Sequence, residues 1–155
     1  MISAADTNIL IDVLIPDAVH AESSESQLVD ALRLGPVIIS EVVYAELGAH
    51  FDPVGRIDEF LRDTGIRMRP SGLTALRHAG NAWRTYARRR PGVLACAECG
   101  TAQRLRCTQC EAPIRSRQHM VADFMIGAHA TAAADRLMTR DRGFYAQYFP
   151  GLTLA

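Results

Sequence analysis

Short apolar runs alternate along this chain with longer stretches of helical periodicity, and the alternation predicts an order of elements. Ser3-Ala4-Ala5, closed by Asp6, reads as a brief buried strand, and residues 9–14 as a short helix that Thr7 or Asn8 could cap, ending near Pro16. Residues 22–34 set Leu28, Val29, Ala31, Leu32 and Leu34 on one helical face and stop at Gly35. Val37-Ile38-Ile39 is a continuous β-branched run of the parallel-sheet kind, and Ser40 is suited to cap a helix over residues 41–51. Pro53 opens a further helix to about Asp63, Gly65 leads into a strand at 66–69, and Ser71 caps a long helix from Gly72 to about Arg89. The pattern lapses at Pro91-Gly92 and resumes after Gln118. It continues with a helix over 119–134, a strand over 136–139, a short helix over 141–149 and an edge strand at 152–154.

Strands alternating with helices imply an α/β fold, with a mostly parallel sheet held between helical layers by right-handed crossovers. The 155 residues suffice for one domain spanning 1–155, with residues 91–117 inserted into it. Apolar residues make up 48% and charged residues 22%, an ordinary globular profile. No apolar run approaches the roughly 18 residues of a membrane span. The N-terminus has no basic leader, and Asp6 and Asp12 interrupt its apolar stretch, so the expectation is a cytoplasmic protein with no membrane partner. Net charge is zero, which excludes a global basic field, yet all 17 basic residues are arginine. That usage fits either a compositional bias or bidentate phosphate recognition. Phosphate-binding glycine loops, nucleophile elbows and dinucleotide fingerprints are lacking.

Four acids stand out by position. Asp6 ends the first strand, Asp141 follows the strand at 136–139, and Glu46 and Asp123 sit within mainly apolar helices. Each alone reads more readily as a cap or a salt-bridged surface residue than as a ligand. Together on an αβ frame they point to one crevice beyond the carboxyl ends of the strands. Buried carboxylates that converge need cations between them, and hard oxygen donors suit Mg²⁺ or Mn²⁺. Such ions activate water and neutralise a phosphodiester transition state. Thr139 and Asn8 are placed to position ligands or water; Asp12, Glu41 and Asp135 read as caps or surface residues.

The runs Ala5-Asp6-Thr7-Asn8-Ile9-Leu10-Ile11-Asp12, Ile39-Ser40-Glu41-Val42-Val43-Tyr44-Ala45-Glu46-Leu47, Ala122-Asp123-Phe124-Met125-Ile126-Gly127-Ala128-His129-Ala130 and Met138-Thr139-Arg140-Asp141-Arg142-Gly143-Phe144 resemble the four signature segments of PIN-domain proteins, and within them the VapC-type toxins of toxin–antitoxin pairs. The resemblance covers nearly all of the chain outside the insertion. It implies a three-layer αβα sandwich with a five-stranded parallel sheet, often dimeric. It also implies a Mg²⁺- or Mn²⁺-dependent endoribonuclease restrained by a VapB-like antitoxin. Carried over by position, Asp6, Glu46, Asp123 and Asp141 form the acidic metal-binding set and Thr139 supplies the hydroxyl of the last motif. Gly127, where the third motif commonly has Ala, is a departure expected only to widen the helix face slightly.

The insertion holds all four cysteines as two C-x-x-C turns, Cys96 with Cys99 and Cys107 with Cys110. Paired turns of this kind hold zinc tetrahedrally, and four thiolates leave no open position, so the expected role is structural. Disulfides, free thiols and an iron site are the alternatives. Between residues 84 and 117 eight arginines face two glutamates. This basic stretch, with Arg88, Arg89, Arg90, Arg104 and Arg106 at its centre, reads either as an RNA-gripping flap or as a solvated loop. His119 lies one helical turn before Asp123, and Trp83 and Tyr86 read as core or dimer-interface residues. Three functions compete: a toxin ribonuclease, a ribonuclease of RNA processing, and a non-catalytic RNA- or protein-binding module built on the same scaffold.

Overall fold

The computed structural model describes residues 1–15, 19–89, 94–95, 101–113 and 120–155. β1 (Ser3–Ala5), β2 (Val37–Ile39), β3 (Arg67–Met68) and β6 (Arg136–Met138) form one parallel sheet in the order β3-β2-β1-β6. Ser3 registers with Val37 on one side and Arg136 on the other. Both central strands are fully buried, as their unbroken apolar runs require of a sheet covered on two faces.

Helices fill the crossovers. α1 (Thr7–Leu14) packs on α2 (Ala21–Leu34), and α3 (Glu41–Gly48) and α4 (Arg56–Thr64) lie between β2 and β3. The long α5 (Leu73–Arg89) runs against α6 (Val121–Ala133), and α7 (Arg142–Tyr148) closes the C-terminal part. Ser40 caps α3 by accepting from the Val43 N–H, as its position before an apolar run predicts. Trp83 and Tyr86 of α5 meet the Phe124 ring of α6 at 5.4 and 5.5 Å, and Phe144 and Tyr148 of α7 meet the same ring at 4.9 and 5.3 Å. Trp83 and Tyr86 therefore belong to an aromatic seam that locks α5, α6 and α7 together.

The five-stranded expectation is corrected to four. The segment at 152–154 runs alongside β6 and makes a single parallel bridge, Leu137 with Leu154. Its backbone bonds (Leu137 N–H to Thr153 O at 2.8 Å, Ala155 N–H to Leu137 O at 2.9 Å) occupy the place of a fifth strand without extending into one. Pro150 and Gly151, immediately before it, leave too little extended chain.

In the insertion, β4 (Leu94–Ala95) and β5 (Ala102–Gln103) pair antiparallel, and a second antiparallel bridge joins Arg106 to Pro113 around a tight turn. Cys107 and Cys110 face each other across that turn as free cysteines. Cys96, Cys99, Arg90 and His119 lie outside the described residues, as does the Arg89 side chain. No helix among the described residues is long and apolar enough to cross a membrane.

Candidate active site

The carboxyl ends of β1 and β6 open onto a cavity of about 290 Å³, lined by Asp6, Thr7, Asn8, Glu46, Asp123, Arg140, Asp141 and Tyr145 among others. All four predicted acids are in its wall. Four separate elements bring them there, three of them by way of helix N-termini. Asp6 is the N-cap of α1, Asp141 is the N-cap of α7, and Asp123 stands in the first turn of α6. Helix N-termini are where the macrodipole favours a carboxylate. Glu46 comes instead from the interior of α3. The cap of α1 is thus Asp6 itself and neither Thr7 nor Asn8.

Asp6 is the centre of the hydrogen-bond network. Its Oδ1 accepts from the Thr7 backbone N–H at 2.8 Å, and its Oδ2 accepts from Thr139 Oγ1 at 2.6 Å and Asn8 Nδ2 at 2.8 Å. Thr139, buried at the end of β6, also accepts from the Asp141 N–H at 3.1 Å, which ties the two motifs together. Thr7 Oγ1 donates to Glu46 Oε2. The Asn8 side chain closes the ring by accepting from the Arg140 N–H at 3.3 Å.

Burial pushes the Asp6 carboxyl up from 3.8 to about 6. Hydrogen bonds from Thr139 and Thr7 oppose the shift, and the nearby charges of Asp123 and Glu46 add to it. Two residues escape the sequence reading. Tyr145 is buried in the cavity wall and donates to Asp6, and desolvation together with the surrounding carboxylates drives its phenol well above the ordinary tyrosine range. Its spacing of four from Asp141 is the available signal. Asp12, which reads from the sequence as a cap or surface residue, is instead 3% exposed, accepts from Ser24 Oγ at 2.7 Å and pairs with Arg140 Nε at 3.1 Å. Its position on the inner face of α1 is set by tertiary neighbours, and local sequence carries no mark of them.

The donor set suits a hard divalent cation: carboxylate oxygens, a hydroxyl, and a central acid that burial beside other acids leaves with a raised pKa. Among the described residues, however, no three His, Cys, Asp or Glu side chains are close enough to hold an ion as they stand. The oxygens are engaged locally: Asp123 accepts from the Met120 N–H at 2.8 Å and Asp141 from the Phe144 N–H at 3.2 Å. Each of these bonds uses one of a carboxylate's two oxygens, so the caps do not prevent Asp123 and Asp141 from ligating a cation. The residue chemistry fits the group.

Of the basic residues expected to contact RNA, Arg88, Arg104 and Arg106 are exposed and none lines this cavity. Arg106 donates to the Glu111 carbonyl at 2.9 Å and so braces its own turn. The Cys107 thiol is held below its usual range by backbone N–H groups of Cys110 and Gln109.

None of the curated proteins matches the chain in sequence. Among solved structures, it is similar in fold to a chain of VapBC2 from Rickettsia felis, a complex bound to a DNA fragment from its promoter, with 18% identity, a TM-score of 0.62, and coverage of 100% of this chain and 98% of that one. It is likewise similar to a chain of VapBC-1 from nontypeable Haemophilus influenzae, with 17% identity, TM-score 0.63, and coverage of 100% and 97%. FitAcB from Neisseria gonorrhoeae is similar at 21% identity, TM-score 0.59, and coverage of 99% and 96%. Identities this low speak to fold alone. The PIN domain matches residues 4–150, which takes in all four acidic segments, and the chain belongs to the PIN domain family.

Proposed function

We propose that the protein is a Mg²⁺- or Mn²⁺-dependent endoribonuclease and the toxin of a VapBC-type toxin–antitoxin pair. The observation that carries the reading is the convergence of Asp6, Glu46, Asp123 and Asp141 on one cavity with a hydroxyl and a tyrosine at its centre. A pure binding module has no use for a buried carboxyl, Asp6, whose pKa is raised by burial and by the neighbouring charges of Asp123 and Glu46. Asp6, Glu46, Asp123 and Asp141 would hold the metal, which when bound supplies an activated water and neutralises charge developing on the phosphodiester. Thr139 and Asn8 fix the Asp6 carboxylate, and Tyr145 keeps it desolvated and oriented. The partner in this reading is a VapB-like antitoxin, supported by the complexes in which the similar folds occur.

Cleavage of total RNA by the purified protein with Mg²⁺ or Mn²⁺, beside Asp6→Asn and EDTA controls, tests the reading. Metal-dependent cutting that Asp6→Asn loses by ~10²-fold or more is the expected result, since a group acting at the metal supplies transition-state stabilisation. Equal inactivity of both folded proteins across RNA classes would move the assignment to the binding module.

The zinc assignment to Cys96, Cys99, Cys107 and Cys110 is part of the same proposal. It is supported by the tight Cys107–Cys110 turn, whose N–H groups already favour a thiolate at Cys107. One zinc per chain by metal analysis, lost in Cys107→Ser, is expected; metal-free protein with an unaltered melt would remove it.

A further inference from the structure

A second cavity, of about 510 Å³, adjoins the acidic one, and Arg140 lines both. His20, Ser23 and Gln27 of the α2 end, Arg142, Thr139 and Ala155 complete much of its wall, and no Asp or Glu side chain among the described residues lines it. The two cavities share Arg140 and differ in their other side chains: four carboxyl groups line the first, and Arg142 with hydroxyl, amide and imidazole groups lines the second. Arg140 is not a loose surface arginine. Its Nε pairs with Asp12, whose carboxylate is buried and also takes the Ser24 hydroxyl, while the Arg140 side chain stays 40% exposed. A planar guanidinium anchored by one nitrogen on a buried acid is pre-organised to present the rest of its fork to an anion. Arg142 is anchored in turn by donating to the Leu154 carbonyl at 3.3 Å.

We propose that this second cavity is a backbone-phosphate subsite for the RNA strand. Arg140 and Arg142 bind the phosphate next to the scissile one, and buried Asp12 is the positioning residue for Arg140. The proposal rests on the ribonuclease reading: a strand whose scissile phosphate lies in the acidic cavity carries a flanking phosphate to the adjoining wall. Phosphate contacts of this kind set register without reading bases, so the subsite contributes to affinity and alignment for any sequence.

The test uses Asp12→Asn, Arg140→Gln, the double variant and Arg142→Gln, with Arg33→Ala on the exposed face of α2 as control. Steady-state cleavage of a short oligoribonucleotide is measured with Mn²⁺, together with salt-dependent binding of the same RNA to each variant in a non-cutting Asp123→Asn background. Arg140→Gln should raise KM by ~10-fold with kcat moving far less, and should lower the salt slope of binding by roughly 0.7, the value for one single-strand phosphate. Asp12→Asn should raise KM by a smaller factor, about 3-fold. The double variant should match Arg140→Gln and fall short of the product of the two, because Asp12 acts through Arg140. The double variant also spares the protein a buried unpaired Asp12, and Arg142→Gln, at an exposed position, reports on the subsite even if the Asp12 variants fold poorly. RNA cut with unchanged KM and salt slope in Arg140→Gln and Arg142→Gln would overturn the subsite and leave the ribonuclease standing. Wild type that neither binds nor cuts RNA would overturn the ribonuclease reading, and the subsite with it.

Discussion

Asp6 carries opposing demands on one side chain. It caps α1, it takes four hydrogen bonds, from Thr7, Thr139, Asn8 and Tyr145, and it is buried beside two other acids. Because its folded pKa of about 6 lies above the ordinary value of 3.8, folding favours the protonated form. Stability from this group is therefore full below pH ~4 and is lost as pH rises through 6, by about 3 kcal/mol in all. In chelator-treated protein, the difference in melting temperature between Asp6→Asn and wild type should accordingly grow between pH 4 and 7 in favour of the variant, less whatever the missing carboxylate bonds cost. Adding Mn²⁺ at pH 7 should raise the wild-type melt and leave the variant's nearly unchanged, since a ligand of the native state stabilises in proportion to its occupancy. A flat pH difference would mean that Asp6 is already compensated in the resting protein. The acid proposed to bind the cation is thus also a local cost to the fold, the usual relation between a functional site and the stability around it.

α6 shows how an element transmits that site to the core. The sequence expectation for Gly127 is a slightly wider helix face; in the structure a Cβ there would stand well inside contact distance of the Phe149 ring. Phe149 is buried, packs on His78 at 5.2 Å, and caps the end of α7, the helix that carries Asp141 and Tyr145. Gly127→Ala gains up to about 1 kcal/mol of helix propensity but must displace a packed aromatic ring, at about 1–3 kcal/mol. The net expectation is a lower urea midpoint, partly recovered by a second change, Phe149→Leu; a midpoint that rises would show that the ring moves freely. Such meetings mark the limit of what the chain's pattern reveals. Asp6 after a small apolar run, Ser40 before an apolar helix and Thr139 two residues ahead of Asp141 are local signals, so the α3 cap and the positions of the four acids are legible, whereas the α1 cap falls on Asp6 in place of Thr7 or Asn8. Asp12 meets Ser24 on another helix, Tyr145 reaches back to Asp6 across the whole chain, and Gly127 is required by a residue 22 positions later. No short-range periodicity records those encounters. The terminal segment does lie beside β6 as its apolar residues suggest, but its pairing length depends on the turn that feeds it.

At the scale of the whole molecule the described core belongs to the αβ body alone. Among the described residues, every member of the buried apolar core lies at or before Tyr86 or at or after Phe124, and Leu105 of the insertion is exposed. Hydrophobic burial is the main favourable term in folding, so the core formed by the described residues of the body is sufficient to hold it together. The aromatic seam joins α5 directly to α6 through Trp83, Tyr86 and Phe124. Replacing residues 91–117 with a short Gly/Ser linker should therefore leave a cooperatively folding protein whose melt still rises with Mn²⁺. The variant separates two roles for the arginine-rich stretch. If Arg104 and Arg106 grip RNA, affinity falls and the slope of log affinity against log salt becomes shallower by roughly 0.7 for each single-strand phosphate that is no longer neutralised. If they only solvate a loop, affinity and slope are those of wild type. A shortened protein that fails to fold would place the insertion inside the domain's own stability, and the division of the chain into body and insertion would have to be withdrawn.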